Sequence, residues 1–143
     1  MGIFRRSAPD LDSLTSLEQY ESLVDESHQR PVWILKHSTA CGTSYRALSQ
    51  FEKFAEQSAP DGDPAEDGEG SKVGPRFVVL DLRQHRSISN AIAERTGLRH
   101  QSPQALLFEG GEVVWSASHG SVTVAAMSEA KPGAALPPPP IFR

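Results

Sequence analysis

Three short, continuous apolar runs constrain this chain more than any other feature: VWIL at 32–35, FVVL at 77–80 and ALLF at 105–108. Each is too short to be a buried helix and lacks the alternation of a half-exposed strand, so each reads as a strand covered on both faces. Such strands need helices, and helical periods lie before and between the first two runs and after the second. Leu14, Leu17, Tyr20 and Val24 recur at three- and four-residue spacing behind Thr15 and Glu18, which stand in the capping-box arrangement and predict an N-terminal helix. After HSTACGTS, Ala47, Leu48, Phe51 and Ala55 fall on one side, with Arg46, Gln50, Lys53 and Gln57 on others. In SISNAIAERTG, Ser87 can cap, Ile88, Ala91 and Ile92 make the stripe, and Gly97 closes the helix. ALLF and VVW are joined through Gly110-Gly111, a dipeptide suited to the positive φ angles of a two-residue hairpin turn. A closing helix is expected from Ser121 to Ala130, against the weaker propensity of Val122, Thr123 and Val124.

The order strand, helix, strand, helix, hairpin gives an α/β protein. A right-handed parallel unit extended by an antiparallel pair makes a central four-stranded mixed sheet flanked by helices, a thioredoxin-like topology with an added N-terminal helix. At 143 residues one domain is expected, taken as 1–130. Within it, segment 58–76 carries five acids against Lys72 and Arg76 and is too polar to offset its ordering entropy, so it reads as a flexible loop. The tail 131–143, KPGAALPPPPIFR, reads as disordered or extended polyproline. The net charge is −4, of which the acidic loop accounts for −3. The nearly neutral remainder offers no basic stripe for nucleic acid, and no apolar stretch approaches a membrane span.

Cys41 is the only cysteine, which excludes an internal disulfide and any multi-cysteine metal cage within one chain and points to a reducing compartment, the cytoplasm. It sits between the first buried strand and the helix after it. In open sheets of this kind reactions occur at the carboxyl ends of the parallel strands, and a helix N-terminus favours thiolate over thiol. Lys36, His37, Arg46, Arg99 and His100 fall in the flanking loops and add positive potential, while Gly42 leaves room for a disulfide partner. The motif Cys41-Gly42-Thr43-Ser44 is C-x-x-S, so Ser44 stands where a dithiol enzyme has its resolving cysteine, and the second thiol must come from outside. His37, His100 and His119 can approach the sulfur, although loop histidines more commonly bond backbone or water; His28 and His85 read as surface residues.

The stretches PVWILKHSTACGTS and VLDLRQHRSISNAIAERTGLRHQSPQALLFEGGEVVWSASHG, with the leading helix, resemble the bacilliredoxin-like family of YtxJ type, monothiol relatives of glutaredoxin. KHST before the cysteine, ISN-IA in the second helix, RH-SPQ before the hairpin and SASH after it carry the match. The resemblance implies a thioredoxin fold, a cytoplasmic location, and removal of bacillithiol from protein mixed disulfides with Cys41 as nucleophile. It implies a cis peptide before Pro103, with Ser102 offering backbone groups to the substrate and Thr39 and Thr43 hydrogen-bonding near the sulfur. The expected partners are S-thiolated client proteins and a small thiol as co-substrate, bacillithiol or an equivalent such as glutathione or coenzyme A, with no bound cofactor and no metal. Because GTS after the cysteine also resembles the CGFS signature of iron-sulfur glutaredoxins, a cluster carrier in which two chains each donate Cys41 is one alternative. A non-catalytic thioredoxin-like adaptor with a protonated Cys41 is the other.

Overall fold

A computed structural model describes residues 11–38, 42–58 and 74–130. Most of the acidic loop (59–73), the tail 131–143, and Thr39, Ala40 and Cys41 lie outside the described residues. The elements run β1 (Asp12–Ser13), α1 (Leu17–Glu26), β2 (Val32–His37), α2 (Gly42–Ser58), β3 (Arg76–Asp81), α3 (Arg86–Thr96), β4 (Gln104–Glu109), β5 (Glu112–Ser118), a 3-10 turn at His119–Ser121, and α4 (Val124–Glu129). The sheet is five-stranded in the order β1-β3-β2-β4-β5, parallel on the β1, β3, β2 side and antiparallel from β2 through β4 to β5.

The expectation of four strands is corrected by β1. Its two residues pair with Val78 and Val79, and Leu14 N–H extends the pairing to Val79 O at 2.9 Å. A two-residue strand has no periodicity to detect and exists only through its partner.

β2 is central and all six of its residues are buried, as its continuous apolar run requires. Alternation divides them between two cores. Val32 and Ile34 face Leu14, Tyr20, Leu23, Val78, Leu80, Ile88, Ile92 and Leu106 beneath α1 and α3. Trp33 and Leu35 face Ala47, Phe51, Phe54, Leu107, Val122 and Met127 beneath α2 and α4. Trp33 is the hub of the second core, edge-on to Phe54 at 4.8 Å and to Trp115 at 5.6 Å between ring centroids.

Two helix starts differ from the sequence expectation. α1 is capped by Ser16, whose Oγ accepts from Gln19 N–H, one residue later than the Thr15/Glu18 pattern. Gln19 wins because its side-chain amide works in both directions, accepting from Thr15 N–H at 2.9 Å and donating to Ser13 O at 3.0 Å, which a carboxylate at Glu18 cannot do. α3 starts at Arg86 with His85 at the cap position, so Ser87 lies inside the first turn. A turn built on Asp81, which accepts from Arg83 N–H through Oδ1 and from His85 N–H through its carbonyl, sets that start.

Gly97 ends α3 at φ 77°, and Gly110 and Gly111 make the hairpin turn at φ 64° and 86°. Ser27, at the end of α1, holds that turn: its carbonyl accepts from Gly110 N–H and its hydroxyl from Gly111 N–H, both at 2.8 Å. The closing helix is shorter than expected, because Thr123 caps it through Ala126 N–H and the three residues before Val122 form the 3-10 turn. At the end of the sheet where β2 and β3 begin, Arg76 bridges Asp12 and Glu26, and Arg30 pairs with the same Glu26. The opposite end is thus left for chemistry.

Candidate functional site

The parallel strands β2 and β3 end at His37 and Asp81, and three elements converge there: the exit of β2, the start of α2, and the loop that leads into β4. Because Gln104 pairs with Lys36 across β2 and β4, Pro103 lies at the same end of the sheet as His37 and Ser38. The Ser102-Pro103 peptide is cis. Pro103 O accepts from His119 N–H at 2.9 Å, and His119 Nε2 lies 2.8 Å from Gln101 Oε1, so the end of β5 clamps this loop from its outer side. His119 adopts φ 54°, a left-handed conformation uncommon for a non-glycine residue.

Only three residues, ending in Cys41, separate Ser38 from Gly42 at the head of α2. Ser44 ties the two sides together: fully buried, it accepts from Ser38 N–H through Oγ at 3.1 Å. Gly42 and Thr43 are exposed, and a Cβ at Gly42 would meet no described atom within 4 Å. Thr39 and Cys41 lie outside the described residues.

The basic candidates occupy different depths. Arg99 is exposed, and His100 and Ser102 are half-buried on the loop before Pro103. Lys36 is fully buried. Among the described residues it has no carboxylate within ion-pair distance, and its one hydrogen-bond partner is His100, with Nζ 3.4 Å from Nδ1. Burial lowers its pKa from 10.5 to about 8. His37 is buried and its pKa is lowered by that burial, with Asp81 pulling the other way. His100 is also lowered, by desolvation first and then by the positive charges of Lys36 and Arg86.

Three participants were missed in the sequence. Ser89, fully buried on the core face of α3, places its hydroxyl 3.0 Å from His100 Nδ1. A serine beside Ile88 and Ile92 on an apolar stripe is the signal that could have found it. Gln104 donates to Arg99 O at 3.1 Å and so fixes the base of the loop. The Gln101 and His119 contact joins residues eighteen apart and had no local signal. Among the described residues no group of three His, Cys, Asp or Glu side chains is placed to hold a metal ion, and no helix is long and apolar enough to cross a membrane.

Compared with known proteins, the chain matches the family model described as monothiol bacilliredoxin BrxC over residues 12–127. It is similar to a solved structure described as a candidate oxidoreductase with a thioredoxin fold, at 32% identity and a TM-score of 0.68, over 84% of this chain and 92% of that one. Thioredoxin from Malassezia sympodialis matches at 18% identity and a TM-score of 0.61, over 89% of this chain and 93% of its own. Mitochondrial thioredoxin 3 from Saccharomyces cerevisiae matches at 18% and 0.58, over 84% and 92%. The last two likenesses speak to the fold alone.

Proposed function

Because the chain belongs to the monothiol bacilliredoxin family, we propose that it is a thiol-disulfide oxidoreductase that removes a low-molecular-weight thiol, of the bacillithiol type, from protein mixed disulfides through Cys41. The observation that carries this reading is Ser44. Its hydroxyl occupies the position of a resolving thiol, is fully buried, and is committed to the Ser38 N–H. A hydroxyl cannot exchange with a disulfide, so the partner thiol must be external.

The Cys41 thiolate attacks the small-thiol sulfur of the mixed disulfide. A bond forms between Cys41 and that sulfur, the original S–S bond breaks, and the client leaves as a thiolate that takes a proton from solvent. A second small-thiol thiolate then attacks the sulfur held on Cys41. It releases the Cys41 thiolate and a symmetric small-thiol disulfide, and each step conserves electrons. Cys41 directly precedes the first residue of the 17-residue α2, whose unpaired N–H groups favour thiolate over thiol and make Cys41 a good leaving group in the second step. In the sequence Thr39, Gly42 and Thr43 lie on either side of Cys41, and Ser102 before the cis peptide offers backbone groups to the substrate. Arg99 supplies positive potential from the facing loop and His100 a polar ring beside it, with Lys36 and His37 behind. The single cysteine supports a cytoplasmic setting.

The test is transfer of label. A client protein carrying bacillithiol, or glutathione in a parallel arm, is mixed with the full chain, and intact-mass spectrometry follows the adduct from client to Cys41. Transfer that is lost in Cys41→Ala supports the proposal. Failure to form a Cys41 adduct from any mixed disulfide overturns it, and a coloured dimer holding iron and sulfide through Cys41 replaces it with cluster carriage.

A further inference from the structure

We infer that the buried Lys36 dictates the tautomer of His100, locking its proton on Nε2, so that His100 meets the small thiol as a neutral hydrogen-bond donor to an anionic oxygen and does not act as the base that ionises Cys41. This deepens the proposed function, on which its last clause rests.

The geometry is one-sided. Lys36 Nζ lies 3.4 Å and Ser89 Oγ 3.0 Å from the same ring nitrogen of His100, Nδ1. A lysine ammonium has donors and no acceptor, so a contact with it requires an unprotonated Nδ1. The serine hydroxyl can turn its proton to the same lone pair. The ring hydrogen of neutral His100 must then sit on Nε2, which diverges from Nδ1 across the imidazole and has no hydrogen-bond partner among the described residues. A second proton on the ring would face the Lys36 cation directly, and the falling pKa of His100 follows from burial, then Lys36, then Arg86.

The surroundings suit an anion. Arg86, at the start of α3, and Arg99, beside His100, are both exposed, and neither forms an ion pair among the described residues. Asp81, at the end of β3, acts on His37. A half-buried N–H donor without a partner among the described residues, two residues before the cis peptide and beside arginines that form no ion pair among those residues, fits a carboxylate of a low-molecular-weight thiol. Lys36 is fully buried and acts through His100 as a positioning residue.

The experiment is nitrogen-detected NMR of the histidine rings in the full chain, followed by exchange kinetics. Between the His100 pKa and pH 8, His100 is expected to show an unprotonated Nδ1 and a protonated Nε2. Lys36→Met is expected to raise the His100 pKa by roughly one pH unit and to mix the tautomers. His100→Leu is expected to raise the KM for the small thiol about tenfold, the loss of one charge-assisted hydrogen bond. His100→Gln, which keeps an N–H donor near the Nε2 position, is expected to restore most of that loss. A proton on Nδ1 in the wild type, or a His100 pKa unmoved in Lys36→Met, overturns the inference. Neither NMR readout requires exchange activity, so their failure is distinguishable from failure of the proposed function.

Discussion

Replacing Lys36 with methionine should make the protein more stable near neutral pH, and by an amount that depends on pH in a defined way. The lysine is fully buried, has no carboxylate partner among the described residues, and titrates near 8 where an exposed lysine titrates at 10.5. The folded chain therefore holds fewer protons than the unfolded chain between these two values, and stability rises with pH across that window. It is highest above 10.5 and lowest below about 8, where both states are protonated and the folded one carries a buried charge. At 1.36 kcal/mol per pH unit the ammonium costs roughly 3 kcal/mol at neutral pH, and loss of the long contact to His100 offsets about 1 of that on substitution. Lys36→Met should thus gain about 2 kcal/mol near pH 7, or roughly 10 °C in Tm, and the gap to the wild type should close before pH reaches 10.5 and then reverse. Urea unfolding of both proteins at matched pH values measures it. Groups common to both, such as Tyr20, whose pKa burial raises, cancel in the difference. A variant less stable than the wild type near neutral pH, or a gap constant from neutral to alkaline pH, refutes the picture of an uncompensated buried cation.

Other perturbations follow from single contacts. Ser44→Ala removes the hydroxyl that accepts from Ser38 N–H and should cost about 1 kcal/mol in denaturant unfolding while Cys41 still takes up small thiol. Ser44→Cys should let the oxidised protein form an internal disulfide with Cys41, seen by mass as the loss of two hydrogens. Gly111→Ala should cost about 1–2 kcal/mol, because φ 86° strains any side chain and the new Cβ would lie 2.8 Å from His28 Nε2. Adding His28→Ala should recover only the steric part, since the backbone strain persists. Arg76→Met breaks the bridge between Asp12 and Glu26 and should cost about 1 kcal/mol at low salt, less as salt is added, which thermal unfolding in a salt series resolves.

What was legible in the sequence was what neighbours in the chain decide. The buried strands announce themselves as unbroken apolar runs, Gly97 and Gly110-Gly111 mark positive φ, and Cys41 and Ser44 are three apart whatever the rest of the chain does. What was not legible depends on partners distant in sequence. β1 exists through Val78 and Val79, and the α1 cap moved by one residue because Gln19 could also reach back to Ser13.

Lys36 is the sharpest case. At the end of VWILK it reads as the charged residue that closes an apolar strand and adds potential at a loop, because a linear pattern contains no depth. Pairing with Leu80 on one side and Gln104 on the other keeps that residue inside the sheet, on the face covered by α3, where Ser89 and His100 are its polar neighbours. The same register that builds the fold therefore turns a surface charge into a buried one. A buried charge that costs stability is retained most simply where it is used, and the histidine it touches lies on the loop before the cis peptide, at the end of the sheet where exchange is proposed.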